Sequence, residues 1–219
     1  MTEAEWLACT DPTSMLTFLG NKASDRKLRL FALACAQRNQ ERWSPWLGSQ
    51  AIETVEKYVD QQSTSEELTR FVHRSPRKWG DEDSGWYRLF QTERFDADAA
   101  AEIAQFAAAW AGAKTTTHHA YSAARDAMRK VQCSLLRDLI VPVLFRPVGL
   151  SPASLTWNGE TVPKIARAIH DERAFCQMPI LADALEEAGC TDAAILDHCR
   201  QPGEHVRGCW VVDTLLGKQ

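Results

Sequence analysis

The 219-residue chain lacks any unbroken apolar run near the ~20 residues that a membrane-crossing helix needs. Its most apolar stretches are interrupted, 97–113 by Asp98, Glu102 and Gln105, and 135–145 by Arg137, Asp138 and Pro142. The opening Met1-Thr2-Glu3-Ala4-Glu5 is acidic, without the basic and apolar parts of a secretory leader. Alternating β-branched patterns are nearly absent, so no sheet is expected. No P-loop, G-x-S-x-G, H-E-x-x-H or C-x-x-C occurs, which removes the commonest signatures of nucleotide, acyl-transfer, metalloprotease and dithiol chemistry. A basic excess is missing too. Lys and Arg number 25 against 29 Asp and Glu, a formal charge of −4, which speaks against a main surface built for nucleic acid. The seven cysteines are an odd count without framework spacing, as in a chain of reduced thiols. The expectation is a soluble, cytoplasmic protein with no membrane segment.

What is present is helical punctuation. Asp11-Pro12 sets an N-cap before a proline at the first helical position, and Gly20 closes that segment. Ser24 caps a long helix from Asp25 to about Trp43, in which Leu28, Phe31, Ala32 and Cys35 share one face. Further helices are expected from Ser49 (Ile52, Val55 and Val59 inward), from the Ser63-x-x-Glu66 capping box, from Asp96 through Trp110, and from about Thr115 to Ile140. Residues 74–85 (RSPRKWGDEDSG) have no periodicity and read as a loop. Beyond an extended 145–160 connection with an Asn158-Gly159 turn, four short helices follow: 161–171, 179–188, 192–200 and 206–216. The fold class is all-α, a multi-helix bundle over 1–143 with a smaller C-terminal helical subdomain over 150–219, the two forming separate domains or one continuous one. Eight tryptophans supply large anchors for such packing. Trp210, four residues after Val206, is expected to lie buried against the 179–188 helix.

Several stretches carry a resemblance. Trp6–Pro12 (WLACTDP), Lys22–Phe31 (KASDRKLRLF), Asp171–Phe175 (DERAF), Pro179–Leu185 (PILADAL) and His205–Asp213 (HVRGCWVVD) resemble an uncharacterised bacterial family of small helical proteins. The resemblance implies a helical fold and brings no activity, so no catalytic residue follows from it.

The densest chemical signal lies near the C-terminus. Of the seven cysteines and six histidines, Cys190, His198, Cys199, His205 and Cys209 fall within 20 residues. Zinc takes four such ligands in a tetrahedron, often from loops and helix ends. His198 and Cys199 are adjacent on a helix and point about 100° apart, so only one can face a shared ion. Cys190, Cys199, His205 and Cys209 are therefore the nominated metal ligands, with structural zinc as the cofactor. The bland alternative is buried apolar thiols, since the spacing contains no C-x-x-C knuckle.

Three functional classes remain open. The first is a non-enzymatic helical protein-interaction module, an adaptor or complex subunit whose partner is another protein. The second is a metal-dependent hydrolase of HD-like type built on His170-Asp171, completed by His118 or His119 and by Asp183 or Asp213. It requires at least one more His and one more Asp within about 5 Å of the pair. The third is a nucleic-acid-binding subunit, which requires Arg26, Lys27, Arg29, Arg74 and Lys78 to share a face.

Overall fold

A computed structural model describes residues 1–38, 45–74, 89, 95–113, 117–140, 144–146 and 148–218. The protein is all-α, with eleven α-helices and no strand among the described residues. No helix among them is long and apolar enough to cross a membrane. The expected 74–85 loop, with its basic-aromatic Arg77, Lys78 and Trp79, lies almost wholly outside the described residues.

The chain divides into two compact units, Glu3–Leu136 and Arg137–Gln219. The first holds α1 (Glu3–Ala8), α2 (Pro12–Leu19), α3 (Asp25–Gln37), α4 (Pro45–Val59), α5 (Ser65–Arg74), α6 (Ala97–Ala113) and most of α7 (His118–Ile140). Its helices start where polar side chains satisfy the first orphan N–H groups. Asp11 accepts from Thr13 N and Ser14 N ahead of α2, and Ser24 accepts from Lys27 N ahead of α3. The reciprocal box ahead of α5 falls one residue later than expected. Thr64 and Glu67 form it, Glu67 N donating to Thr64 Oγ1 and Thr64 N to Glu67 Oε2. The reason is that Ser65, not Thr64, is the first residue with helical hydrogen bonding, which makes Thr64 the cap.

The core of this unit forms where α3 packs on α6 and α4, and α2 on α6, around Trp6, Met15, Leu19, Phe31 and Ile103. Alanines 100, 104, 107 and 108 of α6 are buried, which lets its neighbours approach closely. Arg29 is only 1% exposed. It bonds Asp25 at 2.7 Å and the Leu89 carbonyl at 3.2 Å, with its guanidinium over the Phe95 ring. Arg26 pairs with Asp60 at 3.0 Å. The start of α3 therefore spends two of its cations inside the unit, where Arg29 is turned away from any external phosphate.

The second unit holds the last turn of α7, then α8 (Pro152–Glu172), a single 3-10 turn at Phe175–Gln177, α9 (Met178–Glu187), α10 (Ala193–Arg200) and α11 (Trp210–Leu216). Its division from the first falls at Leu136/Arg137, inside α7. The expected extended connection up to Glu160 is partly helical, because Ser151 caps a first turn at Pro152. Asn158, Gly159 and Glu160 then take left-handed backbone in succession (φ 46°, 66° and 66°), and the helix restarts beyond them. α8 packs on α9 and α11, and α9 on α10, around Val162, Ile169, Met178, Leu181, Leu185 and Val211.

Candidate metal centre

Four polar side chains meet inside the second unit, each delivered by a different local device. Asp138 rides the last turn of α7, three residues after the buried Leu135 and one before the buried Leu139, so the apolar register of the helix turns it inward. His198 sits on the last turn of α10, a helix fixed at its start by Asp192 accepting from Ala194 N. Pro202-Gly203 then breaks the chain, and a tight turn follows in which Cys209 N donates to Val206 O and Gly208 takes φ 93°. That turn folds His205 and Cys209 back toward α10 and leads into α11.

The ligand-type atoms of Asp138, His198, His205 and Cys209 all lie within 4.8 Å of one another, and all four residues are buried. Asp138 Oδ1 accepts from His205 Nδ1 at 2.6 Å and from His198 Nε2 at 3.1 Å, and its Oδ2 accepts from Val206 N at 2.9 Å. His198 Nε2 also stands 3.2 Å from Cys209 Sγ, while Gln201 Nε2 donates to His198 Nδ1 at 3.2 Å. Cys209 Sγ is 3.8 Å from His205 Nδ1. The network assigns these tautomers, each imidazole giving one N–H to the carboxylate. Trp210 closes one side, its ring 5.0 Å from that of His198.

Burial alone would raise the Asp138 carboxyl, but the bonds and charges of His198 and His205 outweigh it and hold the group below its ordinary 3.8. Burial lowers His198 below 6.5 against the opposing pull of Asp138. Burial and the neighbouring Asp138 charge push the Cys209 thiol well above 9.0, despite backbone donors at Val212 and Val211. A carboxylate, two imidazoles and a thiol have the composition of a Cys-His-Asp catalytic set. Here the thiol is disfavoured as a thiolate and is 0% exposed, so the arrangement does not prepare a nucleophile.

Of the four ligands nominated from sequence, the structure brings together His205 and Cys209. Cys190 and Cys199 are buried in the same apolar cluster as Cys209 and do not belong to that group of converging ligand atoms. The Cys199 thiol is pushed up to about 12, chiefly by burial. The steric rule that adjacent His198 and Cys199 cannot both face one centre holds, and it is His198 that faces it. Asp138 came from outside the C-terminal cluster. The signal that points to it is an acid at core spacing between leucines.

His170 Nδ1 bonds Asp171 Oδ1 at 2.8 Å, with His170 buried and Asp171 exposed. Among the described residues, that pair belongs to no group of three or more metal-ligating side chains. Asp183, nominated to complete it, instead binds Arg200 at the surface at 2.8 Å. Trp210 is 3% exposed, as expected of a core anchor. Its helix packs chiefly on α8, and the indole lies in the same apolar cluster as Leu181, Ala182 and Leu185 of α9. Comparison with protein-family models, with curated proteins and with solved structures finds no match.

Proposed function

We propose that the chain is a non-enzymatic helical protein-interaction module, an adaptor or complex subunit working in the cytoplasm with another protein as partner. The observation that carries this reading is the division of roles within the second unit. The side chains with chemical capacity, Asp138, His198, His205 and Cys209, are sealed inside. On the outside, α9 buries Met178, Leu181, Ala182 and Leu185 yet presents Ile180 at 57% exposure, with the exposed Glu187 and the Arg200-paired Asp183 beside it at helical spacing. A large apolar side chain rimmed by acids suits a partner surface of opposite design, apolar with basic neighbours. The net charge of −4 and the inward use of Arg29 favour a protein partner over nucleic acid. Any structural zinc would serve the fold of the module and not a reaction.

The test is purification of the tagged full-length chain from its native cells, wild type beside Ile180→Glu. The expected result is a partner retained in fixed ratio by the wild type and lost from the variant, with an unchanged far-ultraviolet circular dichroism spectrum. Manganese-dependent phosphoester hydrolysis abolished by His170→Ala would replace this reading with the HD-type hydrolase.

A further inference from the structure

We propose that Asp138, His198, His205 and Cys209 form a closed tetrahedral site for a zinc-class divalent cation, which locks the end of α7 to α10 and to the turn before α11. The proposal is independent of the partner-binding reading.

The donor set carries the choice of ion. One carboxylate oxygen, two imidazole nitrogens and one sulfur are a borderline-soft combination, suited to zinc and poor for magnesium or calcium, which take oxygen donors. Charge carries it further. The centre holds one carboxylate and one thiol that a bound cation can deprotonate. With the thiol deprotonated, the two anionic ligands match a 2+ ion, and the buried centre becomes neutral. As the sulfur–metal bond forms, the Cys209 proton leaves to solvent.

The spacing agrees. Zinc–ligand bonds of about 2.0–2.3 Å give tetrahedral edges of about 3.3–3.7 Å. Of the six edges, three measure 3.1, 3.2 and 3.8 Å, each within about 0.2 Å of that range, and all six lie within 4.8 Å. A fourth, 2.6 Å between Asp138 and His205, is a hydrogen bond. A cation replacing that proton, which passes to Nε2 of the same ring, would open that edge by about 0.7–1 Å.

One further feature belongs to a ligand set. Gln201 stands on the far nitrogen of His198, in the orienting position that metal-bound imidazoles typically fill. With Nε2 on the ion, Nδ1 carries the proton and donates to the Gln201 carbonyl oxygen, the amide having turned over. All four ligands are buried, which fits a structural ion with its coordination closed by protein.

The experiment uses the full-length chain purified without chelator, then stripped and titrated with cobalt(II). The expected results are about one zinc per chain as purified, and on titration the intense visible bands of tetrahedral cobalt with a thiolate-to-cobalt charge-transfer band. Cys209→Ser removes the charge-transfer band, while Cys190→Ser and Cys199→Ser keep it. Asp138→Asn weakens cobalt binding at least tenfold. Circular dichroism of each variant reports whether it is folded, and the wild-type titration stands without any variant. No tightly held zinc together with no tetrahedral cobalt spectrum in the wild type overturns the site. Loss of the charge-transfer band in folded Cys190→Ser or Cys199→Ser, with retention in Cys209→Ser, also overturns it and moves the sulfur ligand to that cysteine.

Discussion

Asp138 and His205 stand 67 residues apart in the chain, yet His205 Nδ1 donates to Asp138 Oδ1 across 2.6 Å. The same carboxylate takes a second imidazole N–H from His198 and the backbone N–H of Val206. It is the polar keystone of the second unit, and removing it strands several buried donors at once. Each buried donor left without a partner costs about 1–3 kcal/mol. Asp138→Ala is therefore expected to destabilise the unit by about 3–5 kcal/mol, allowing for relaxation. Asp138→Asn keeps one acceptor oxygen and should cost less. Amide hydrogen exchange over residues 195–215 is the measurement, and equal protection in Asp138→Ala and wild type would disprove the role.

Trp210→Ala tests the wall of the same centre. The indole is 3% exposed and stacks at a tilt near His198, so its removal leaves a cavity as well as lost contact. The expected loss is about 3–5 kcal/mol by urea denaturation. A loss below about 1 kcal/mol would mean that the side chain is not part of the core.

Thiol chemistry separates the cysteines by burial. Cys176 is exposed, Cys9 is half-buried, and the other five are buried. Burial pushes Cys35 and Cys199 up to about 12, so at pH 8 only about one thiol in ten thousand at each is a thiolate. An aromatic disulfide reagent should modify one thiol of the native chain rapidly and a second more slowly, with the rest reacting only on unfolding. Cys176→Ser should abolish the fast phase. Rapid modification of three or more native thiols would contradict the packing described.

At the other end of the chain, Asp11 caps α2 and accepts from Arg129. Partial burial raises its carboxyl, but the Ser14 hydroxyl, the Thr13 N–H and the Arg129 charge together hold it below 3.8. A carboxyl lowered in the folded state contributes stability above its unfolded value, and that contribution is lost as pH falls through the folded value. Asp11→Ala should cost about 0.5–2 kcal/mol at pH 7, the range for a lost cap, and Asp11→Asn less. The gap between wild type and Asp11→Ala should hold down to about pH 4 and close below it. A gap that widens on acidification would refute the assignment. Thermal denaturation across pH reads it directly.

Much of the architecture was legible because local rules settle it. Asp11-Pro12 and Ser24 cap the helices that their side chains predict, and the 3.6-residue spacing of Leu28, Phe31, Ala32 and Cys35 marks a face that is indeed buried. Boundaries slipped where two neighbouring residues compete for one role, as Ser63 and Thr64 do at the start of α5. The polar centre was half legible. His205 and Cys209 declare themselves by crowding, and crowding equally nominated Cys190 and Cys199, which are small apolar core residues. Asp138 could not be found that way, because its partners are non-local and one sequence carries no record of which distant segments meet. Its only local mark is an acid among Leu135, Leu136, Leu139 and Ile140.

That placement bears on where the chain can be cut or joined. Asp138 belongs to the second unit, yet it lies on a helix whose first nineteen residues, 118–136, fall in the first. A fragment starting in the connection past Ile140 would carry every other element of the second unit and lack the acceptor at its centre. His198 and His205 would then be left with only the Cys209 sulfur in reach of the ring nitrogens that Asp138 serves. A junction ahead of His118 keeps the helix whole, so a transplantable C-terminal piece begins with α7, well upstream of the apparent linker.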